Sequence, residues 1–184
     1  MTLKDLHIDN TWTLFLDRDG VINKKIENDY VKHTSEFEFI DGVLNALRML
    51  DSIFGKIVVV TNQQCIGKRI IYPEDLELIH QNMLYEISYL KGRIDKIYYS
   101  PYLASENHPT RKPGIGMALQ AQKDFPSIDF EKSIIVGDSL SDMEFGRNAG
   151  MKTVYISNEP KEDKRIDFNF KSLIYFAHTL TVNL

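Results

Sequence analysis

The feature that most restricts the fold is a series of five short apolar runs with segments of helical pattern between most of them. Two of the runs, 57–60 and 134–136, contain only Ile and Val, so a strand formed there would be apolar on both faces. Such strands are typical of a parallel sheet that is covered by helices on each side. The alternation therefore predicts a doubly wound, Rossmann-like α/β fold with a mainly parallel sheet. The predicted strands are 14–16, 57–60, 97–99, 134–136 and 154–156.

Several helix boundaries can also be predicted from the sequence. Asp41 is placed to cap a first helix, and Gly150 is placed to end a helix over 141–149 in a left-handed conformation. Pro73 predicts the start of the longest helix. Its expected buried stripe consists of Leu76, Ile79, Met83, Ile87 and Leu90.

The length of 184 residues predicts a single domain over 1–184. Residues 21–40 form an unusually long connection, which we interpret as a flap (a loop or small hairpin) lying over the strand ends. The other places for an insertion, 64–72 and the segment before Lys112, are short, so no large cap is expected. The tail, 159–184, is expected to start with a solvated charge run and to end in a packed helix or strand.

Charge and composition exclude several classes of protein. The net charge is −4 and there is no long basic run, which argues against a nucleic-acid partner. No apolar stretch approaches the length of a membrane span, and the N-terminus lacks the apolar core of a signal peptide. The only cysteine, Cys65, excludes an intrachain disulfide and fits a reducing compartment. We therefore predict a cytoplasmic protein, and we expect a monomer.

Two carboxylates, Asp17 and Asp19, come directly after the first predicted strand. If the strand continues through 19, both side chains project to the same side. Carboxylates held this close repel each other and are seldom found without a cation or a shared proton. An all-oxygen site of this kind suits Mg²⁺, which takes one or two carboxylates together with a phosphate. A solvated acidic turn has the same sequence, so the interpretation depends on the residues at the ends of the other strands.

Further polar groups lie at the ends of the other predicted strands. In open α/β sheets the ligand binds beyond the carboxyl ends of the strands, where these groups are expected to meet. Acids, a hydroxyl and a lysine serve phosphoryl transfer, because a carboxylate attacks phosphorus only when the repulsion between anions is cancelled. The groups are Thr61 and Asn62 after the second strand, Arg111 and Lys112 after the third, and Asp138 and Asp142 after the fourth.

This arrangement resembles the four motifs of the haloacid dehalogenase (HAD) superfamily of phosphatases, over residues 12–157. Within the superfamily the chain is most similar to the D-glycero-D-manno-heptose 1,7-bisphosphate phosphatases and their histidinol-phosphatase relatives. The segments that carry this similarity are FLDRDGVIN (15–23), DYV…FEFIDGV (29–43), TNQ (61–63), RIDKIYYSP (93–101), RKPGIGM (111–117) and VGDSLSDM (136–143).

The resemblance implies roles for the four acids. Asp17 is expected to be the nucleophile, to form an aspartyl-phosphate and to bind Mg²⁺. Asp19 is expected to protonate the leaving alcohol, to accept a proton from the hydrolytic water and to bind the metal through its backbone carbonyl. Asp138 is expected to complete the protein's share of the metal ligands, and Asp142 is expected to hold metal-bound water or Lys112.

The resemblance also implies a set of residues that bind the phosphorylated substrate. Thr61 is expected to donate to the phosphoryl oxygens, and Lys112 to neutralise them and to orient Asp17. Arg111 offers a fork that suits a phosphate or hydroxyls. Asn62 is placed with this group, although polar residues after a strand are often only structural.

One departure from the relatives concerns zinc. They carry a zinc loop of the form C-x-H…C-x-C just before the Arg-Lys-Pro. A structural zinc site needs four nitrogen or sulfur ligands, and this loop offers at most one, His108. We therefore predict Mg²⁺ as the cofactor and no zinc. Cys65 and Arg69 also stand where the relatives usually have glycine, and Arg69 or Lys68 could hold a second phosphate. The positions that correspond to the zinc ligands are Ser100, Tyr102, His108 and Thr110.

The leading interpretation is an Mg²⁺-dependent phosphomonoesterase of carbohydrate metabolism, with a heptose 1,7-bisphosphate as the expected substrate. A histidinol-phosphate phosphatase ranks second, because residues 29–43 resemble the heptose enzymes more closely. A receiver domain, a signalling module that is phosphorylated on an aspartate, is an alternative from another class. Which phosphate is removed, and which anomer is preferred, stays open.

Overall fold

One parallel sheet organises the computed structural model, which describes residues 2–181. The sheet confirms the predicted doubly wound fold, and each of the five predicted strands lies within it. Its order is 3-2-1-4-5-6 in chain numbering, and all neighbours are parallel. The strands are β1 (Thr13–Leu16), β2 (Lys56–Asn62), β3 (Lys96–Ser100), β4 (Ser133–Gly137), β5 (Lys152–Ile156) and β6 (Phe168–Phe170).

Helices cover both faces of the sheet. Side chains alternate along β1, so that Leu14 and Leu16 face one layer and Phe15 faces the other. The first layer holds α1, α3 and α6, and the second holds α4 and α5. Burial on both faces explains why the central strands are continuous Ile-Val runs. The helices are α1 (Val43–Asp51), α2 (Gln64–Gly67), α3 (Pro73–Tyr89), α4 (Gly116–Asp124), α5 (Leu140–Ala149) and α6 (Leu173–Thr181).

The signals for α3 and α5 are confirmed except at one residue. Pro73 begins α3, and Gly150 ends α5 with a φ of +84°. Leu90, predicted to belong to the buried stripe of α3, lies beyond the end of the helix and is 44% exposed. No helix within residues 2–181 combines the length and the apolar character that crossing a bilayer requires.

The predicted cap of α1 is wrong. Gly42, and not Asp41, occupies the capping position, and no side chain caps the helix there. Its φ of +79° lies in the left-handed region, which glycine adopts without steric strain. A Cβ at this position would also lie 3.2 Å from Ile174, so the turn brings α1 close to α6.

The tail contains a strand that the sequence analysis missed. β6 pairs with β5 and extends the sheet at its edge, and the apolar patch after it forms α6. The charge run before β6 is not simply a solvated face, because Asp167 accepts a hydrogen bond from the backbone N–H of Thr153 at 2.9 Å. Residues 182–184 of the predicted tail lie outside the described part of the chain.

The flap, residues 21–40, closes at its base as a narrow hairpin. Ile40 donates to the carbonyl of Ile22 at 3.0 Å, and Lys24 donates to that of Glu38 at 2.7 Å. The connections 68–72 and 101–115 are short in the structure, and no large cap is present among the described residues. The open end of the sheet is therefore covered only by the flap and by these loops.

The strand order rules out the receiver domain. Receiver domains have the order 2-1-3-4-5, whereas the first five strands here have the order 3-2-1-4-5. The chain continues from β1 towards β2 on one side, and β4 lies on the other side. The order therefore reverses between β1 and β4, and a doubly wound fold binds its ligand at the carboxyl ends of such strands.

Candidate active site

A cavity of about 280 Å³ opens at the carboxyl ends of β1, β2 and β4. Loops extend from these strands, so that polar side chains from distant parts of the sequence face one another. Every site residue predicted from the sequence lines this cavity. These residues are Asp17, Asp19, Thr61, Asn62, Arg111, Lys112 and Asp138.

Asp17 lies at the floor of the cavity, directly after β1. Its backbone N–H donates to the carbonyl of Val136 at 2.9 Å, which continues the pairing with β4. Its carboxylate lies 2.8 Å from the ammonium nitrogen of Lys112. Burial raises the pKa of Asp17 to about 7, because Lys112 offsets only part of the desolvation and the negative charges of Asp142 and Asp138 add to it.

Lys112 is buried between two carboxylates. Its Nζ lies 2.6 Å from Asp142 and also donates to the carbonyl of Val60 at 2.7 Å. Burial alone would lower the pKa of Lys112, but the charges of Asp142 and Asp17 raise it, so the side chain stays an ammonium. Asn62 clamps the backbone of this lysine: it accepts from the Lys112 N–H at 3.0 Å and donates to the Lys112 carbonyl at 3.2 Å.

Three acids could hold a metal ion. Asp17, Asp138 and Asp142 each offer one oxygen, and these oxygens lie within 4.8 Å of one another. Oδ1 of Asp138 is buried and has no hydrogen-bond partner among the described residues. Burial raises the pKa of Asp138, against the opposing charge of Lys25. An all-oxygen set with an unpartnered buried atom fits a hard divalent cation such as Mg²⁺.

Glycine allows this cluster to close. A Cβ on Gly20, which has a φ of +90°, would lie 2.1 Å from Oδ2 of Asp138. A Cβ on Gly137 would lie 2.2 Å from the Cβ of Asp142. Both separations are too short for any real side chain, so the acids approach the backbone this closely only because both positions are glycine.

The side chain of Asp19 does not belong to this acidic cluster, although Asp19 lines the same cavity. The strand ends at Leu16, and Asp19 turns towards three donors instead. Its Oδ1 accepts from Arg18 and from Asn23, both at 2.9 Å, and its Oδ2 accepts from Gln63 at 2.8 Å. Burial on its own would raise the pKa of Asp19, but the charge of Arg18 and these hydrogen bonds lower it. The acid beside Asp17 and Asp138 is Asp142.

The positive charges at the mouth of the cavity come from Arg111 and Lys25. Arg111 donates to the carbonyl of Tyr102 at 3.0 Å, and Lys25 of the flap lies 3.0 Å from Oδ2 of Asp138. Lys68 instead donates to the hydroxyl of Tyr30 at 2.9 Å, and neither it nor Arg69 is among the residues that line the cavity. The sequence also places Lys25 on the flap over the site, but its contact with Asp138 is seen only in the structure.

The groups behind Asp19 were also missed. Arg18 is 1% exposed, and its guanidinium lies 3.1 Å from Nε2 of His80. Thr61 accepts from the side-chain amide of Gln63 at 2.9 Å, and the thiol of Cys65 donates to Oε1 of Gln63 at 3.5 Å. One signal was available in the sequence: His80 is spaced as a member of the buried stripe of α3, and a polar residue there must have a partner.

The loop after β3 connects the four positions at which the relatives were expected to bind zinc. Ser100 and Thr110 are hydrogen-bonded at 3.2 Å, and Thr110 lies 2.8 Å from Nδ1 of His108. The ring of His108 stacks on that of Tyr102 with the centroids 3.4 Å apart. Direct contacts thus hold this loop together, while the absence of zinc stays a prediction.

Comparison with known proteins agrees with this geometry. The family model described as polynucleotide kinase 3 phosphatase matches residues 13–183. The chain belongs to this family of HAD phosphatases. It is 39% identical over 163 residues to the D-glycero-alpha-D-manno-heptose-1,7-bisphosphate 7-phosphatase of Campylobacter jejuni, a match that covers 89% of this chain and 92% of the relative. The predicted phosphatase class is thereby confirmed.

Two further relatives extend this result. The D-glycero-beta-D-manno-heptose-1,7-bisphosphate 7-phosphatase of Escherichia coli K12 is 35% identical over 161 residues, which is 80% of each chain. The solved D,D-heptose 1,7-bisphosphate phosphatase of B. bronchiseptica, complexed with magnesium and phosphate, superimposes with a TM-score of 0.83. That match covers 94% of this HAD phosphatase and 99% of the other chain at 23% identity, and it supports the fold.

Proposed function

We propose that this phosphatase removes the 7-phosphate of a D-glycero-D-manno-heptose 1,7-bisphosphate, with Asp17 as the nucleophile. The observation that carries the proposed chemistry is the buried contact between Asp17 and Lys112 beside two further acids. The proposed substrate is supported by the names of the relatives, both of which are 7-phosphatases of this sugar bisphosphate. Those two enzymes differ in the anomer that they are named for, and the anomer stays open here.

We infer that Asp17, Asp138 and Asp142 would hold Mg²⁺. The sequence analysis also assigned a metal contact to the backbone carbonyl of Asp19, and this contact is kept as part of the proposal. When bound, the ion would cancel negative charge on the carboxylates and on the phosphoryl oxygens, so that an anionic nucleophile can approach an anionic substrate.

In the first step a carboxylate oxygen of Asp17 attacks phosphorus. The new bond joins Asp17 to the phosphoryl group, and the bond from phosphorus to the sugar oxygen breaks. That oxygen takes a proton from Asp19 and leaves as the alcohol. Lys112 stays an ammonium throughout, orients Asp17 and neutralises the phosphoryl oxygens, to which Thr61 donates a hydrogen bond.

In the second step a water molecule attacks the phosphorus of the aspartyl-phosphate. The water gives its proton to Asp19, the bond between phosphorus and Asp17 breaks, and inorganic phosphate leaves. The donors around Asp19 favour its carboxylate, which is the form that accepts this proton. A dianionic substrate beside Asp19 opposes them, because a nearby like charge favours the protonated acid that the first step needs.

The second phosphate of the substrate needs cations outside the reacting centre. We assign Arg111 to it, because Arg111 lines the cavity, whereas Lys25 is paired with Asp138 of the acidic cluster and Lys68 and Arg69 do not line the cavity. The cavity volume of about 280 Å³ has room for a sugar phosphate.

The test compares phosphate release from the heptose 1,7-bisphosphate, histidinol phosphate and a 3′-phosphorylated oligonucleotide, with Mg²⁺ and with a chelator. We expect the bisphosphate to have the highest kcat/KM, phosphorus NMR to show a product that keeps its 1-phosphate, and the chelator to abolish turnover. Faster hydrolysis of histidinol phosphate or of the oligonucleotide would refute the substrate. Turnover by Asp17→Asn at the parent rate would refute the nucleophile.

A further inference from the structure

A buried cation lies directly behind Asp19. Arg18 is 1% exposed, and its guanidinium has two hydrogen-bonding side-chain partners, Asp19 and His80. One Nη donates to Oδ1 of Asp19 at 2.9 Å, and the other lies 3.1 Å from Nε2 of His80. The ring of Phe37, from the flap, lies 6.0 Å away. The orientation of this planar fork therefore affects where the carboxylate of Asp19 is held, together with Asn23 and Gln63.

His80 can only act as an acceptor in this contact. A guanidinium has donors and no acceptor, so Nε2 of His80 must carry its lone pair and the ring proton must be on Nδ1. The burial of His80, which is 4% exposed, supports this assignment. Burial together with the charge of Arg18 also lowers the pKa of His80 to about 3, which keeps the ring neutral.

We propose that His80 is a positioning residue, which orients the guanidinium of Arg18 so that Arg18 holds the carboxylate of Asp19 in place. This inference rests on the role of Asp19 in the proposed function. His80 belongs to α3, whereas Arg18 and Asp19 come directly after β1, so the contact joins the acid to the helix layer. The other donors to Asp19 come from the flap and from the end of β2.

Removing the acceptor changes what Arg18 can do. One Nη of a buried guanidinium would lose its partner, and the Nε of Arg18 already has none among the described residues. An unpaired buried donor is unfavourable enough to make the side chain turn towards another acceptor. Because Arg18 supplies the only positive charge among the three donors of Asp19, that turn would displace the carboxylate.

The test uses two variants, one without an acceptor and one with an acceptor. His80→Leu fills the site but accepts no hydrogen bond, whereas His80→Gln can accept through its amide oxygen. The measurement is kcat/KM for an alkyl phosphate, the heptose bisphosphate, and for an aryl phosphate, 4-nitrophenyl phosphate. A nitrophenolate leaves without a proton, so the aryl ester does not need the acid.

For His80→Leu we expect kcat/KM to fall roughly 10- to 100-fold with the alkyl phosphate and by less than about threefold with the aryl phosphate, since acid catalysis contributes about 10²–10⁴. His80→Gln should recover most of the loss. Met83→Ala is the matched control, because Met83 lies on the same buried stripe and packs in the apolar core. This control should lower stability but affect both substrates equally.

Equal losses with the two substrates, or equal losses in the Leu and Gln variants, would overturn the inference and leave His80 as a packing residue. Asp19→Asn separates this failure from that of the proposed function. If Asp19→Asn loses activity on the alkyl phosphate but His80→Leu does not discriminate, only the positioning role of His80 fails. If Asp19→Asn retains that activity, the acid itself is wrongly assigned and both proposals fail.

Discussion

Asp17→Asn should abolish turnover and, at alkaline pH, stabilise the metal-free protein. The substitution keeps the shape of the side chain and leaves an oxygen for Lys112. It removes both the attacking charge and one of three carboxylates that repel each other in a buried site. The charge of a catalytic residue can oppose folding, because a metal ion that balances this charge binds only after the protein has folded.

The magnitude comes from the pKa of Asp17. In the unfolded chain the side chain loses its proton near 3.8, whereas in the folded protein it keeps the proton up to about 7. Between these values the unfolded chain binds fewer protons, so the free energy of unfolding falls as pH rises. A shift of about three units at about 1.4 kcal/mol each corresponds to about 4 kcal/mol, all of it lost above pH 7. Asn at position 17 is free of this loss.

The assay is urea unfolding of parent and variant in chelator, at about pH 4 and about pH 8, which bracket the titration. We expect the two proteins to be equally stable at the lower pH, and the variant to gain up to about 4 kcal/mol at the higher pH. Adding Mg²⁺ should stabilise the parent more than the variant and reduce the difference between their free energies of unfolding. Asp29→Asn is the control: Asp29 is an exposed acid, paired with Lys32, at the rim of the cavity.

A variant that is less stable than the parent at the higher pH, in the absence of metal, would refute this reasoning. It would mean that Lys112 more than compensates for the burial of Asp17. The acidic cluster would then be a stable structural network, and its geometry would no longer support a metal site.

Three further predictions concern Lys112, His80 and the metals. Lys112→Met leaves Asp17 and Asp142 buried without their cation, so urea unfolding in chelator should show a loss of about 3–5 kcal/mol, and unchanged stability would contradict this. His80 has a pKa of about 3 when folded and 6.5 when unfolded, so this residue contributes a loss of about 1.4 kcal/mol per pH unit on acidification below about 6.5, which opposes the gain from Asp17. His80→Gln should lack this contribution. If the free energies of unfolding of the parent and of this variant change in parallel with pH, the prediction is wrong. Elemental analysis should find no stoichiometric zinc, while activity should return when Mg²⁺ is added after chelation; one tightly bound zinc per chain would overturn the interpretation of the 100–110 loop.

The elements that could be predicted from the sequence are those in which one local pattern dominates. The Ile-Val runs of β2 and β4 admit little besides strands buried on both faces, and Pro73 and Gly150 mark helix ends by their backbone restrictions alone. β6 was missed because Phe168–Phe170 is short and comes after a charged run, so its sequence pattern is weak. Its pairing with β5 makes it a strand. The capping of α1 was wrong because Asp and Gly adjoin there and both are common at helix starts.

The sequence by itself determined which chemical groups meet at the edge of the sheet. A parallel sheet brings the residues after each strand to one side, so Asp17, Lys112 and Asp138 could be placed together without coordinates. Their partners were decided only by the tertiary structure. Asp142 completes the acidic cluster with Asp17 and Asp138, and His80 reaches Arg18 from 62 positions away. Hydrogen bonds depend on side-chain rotamers and on differences in distance of a few tenths of an ångström. The packing of α3 and the flap against the strand ends sets both, whereas the period of a strand sets neither.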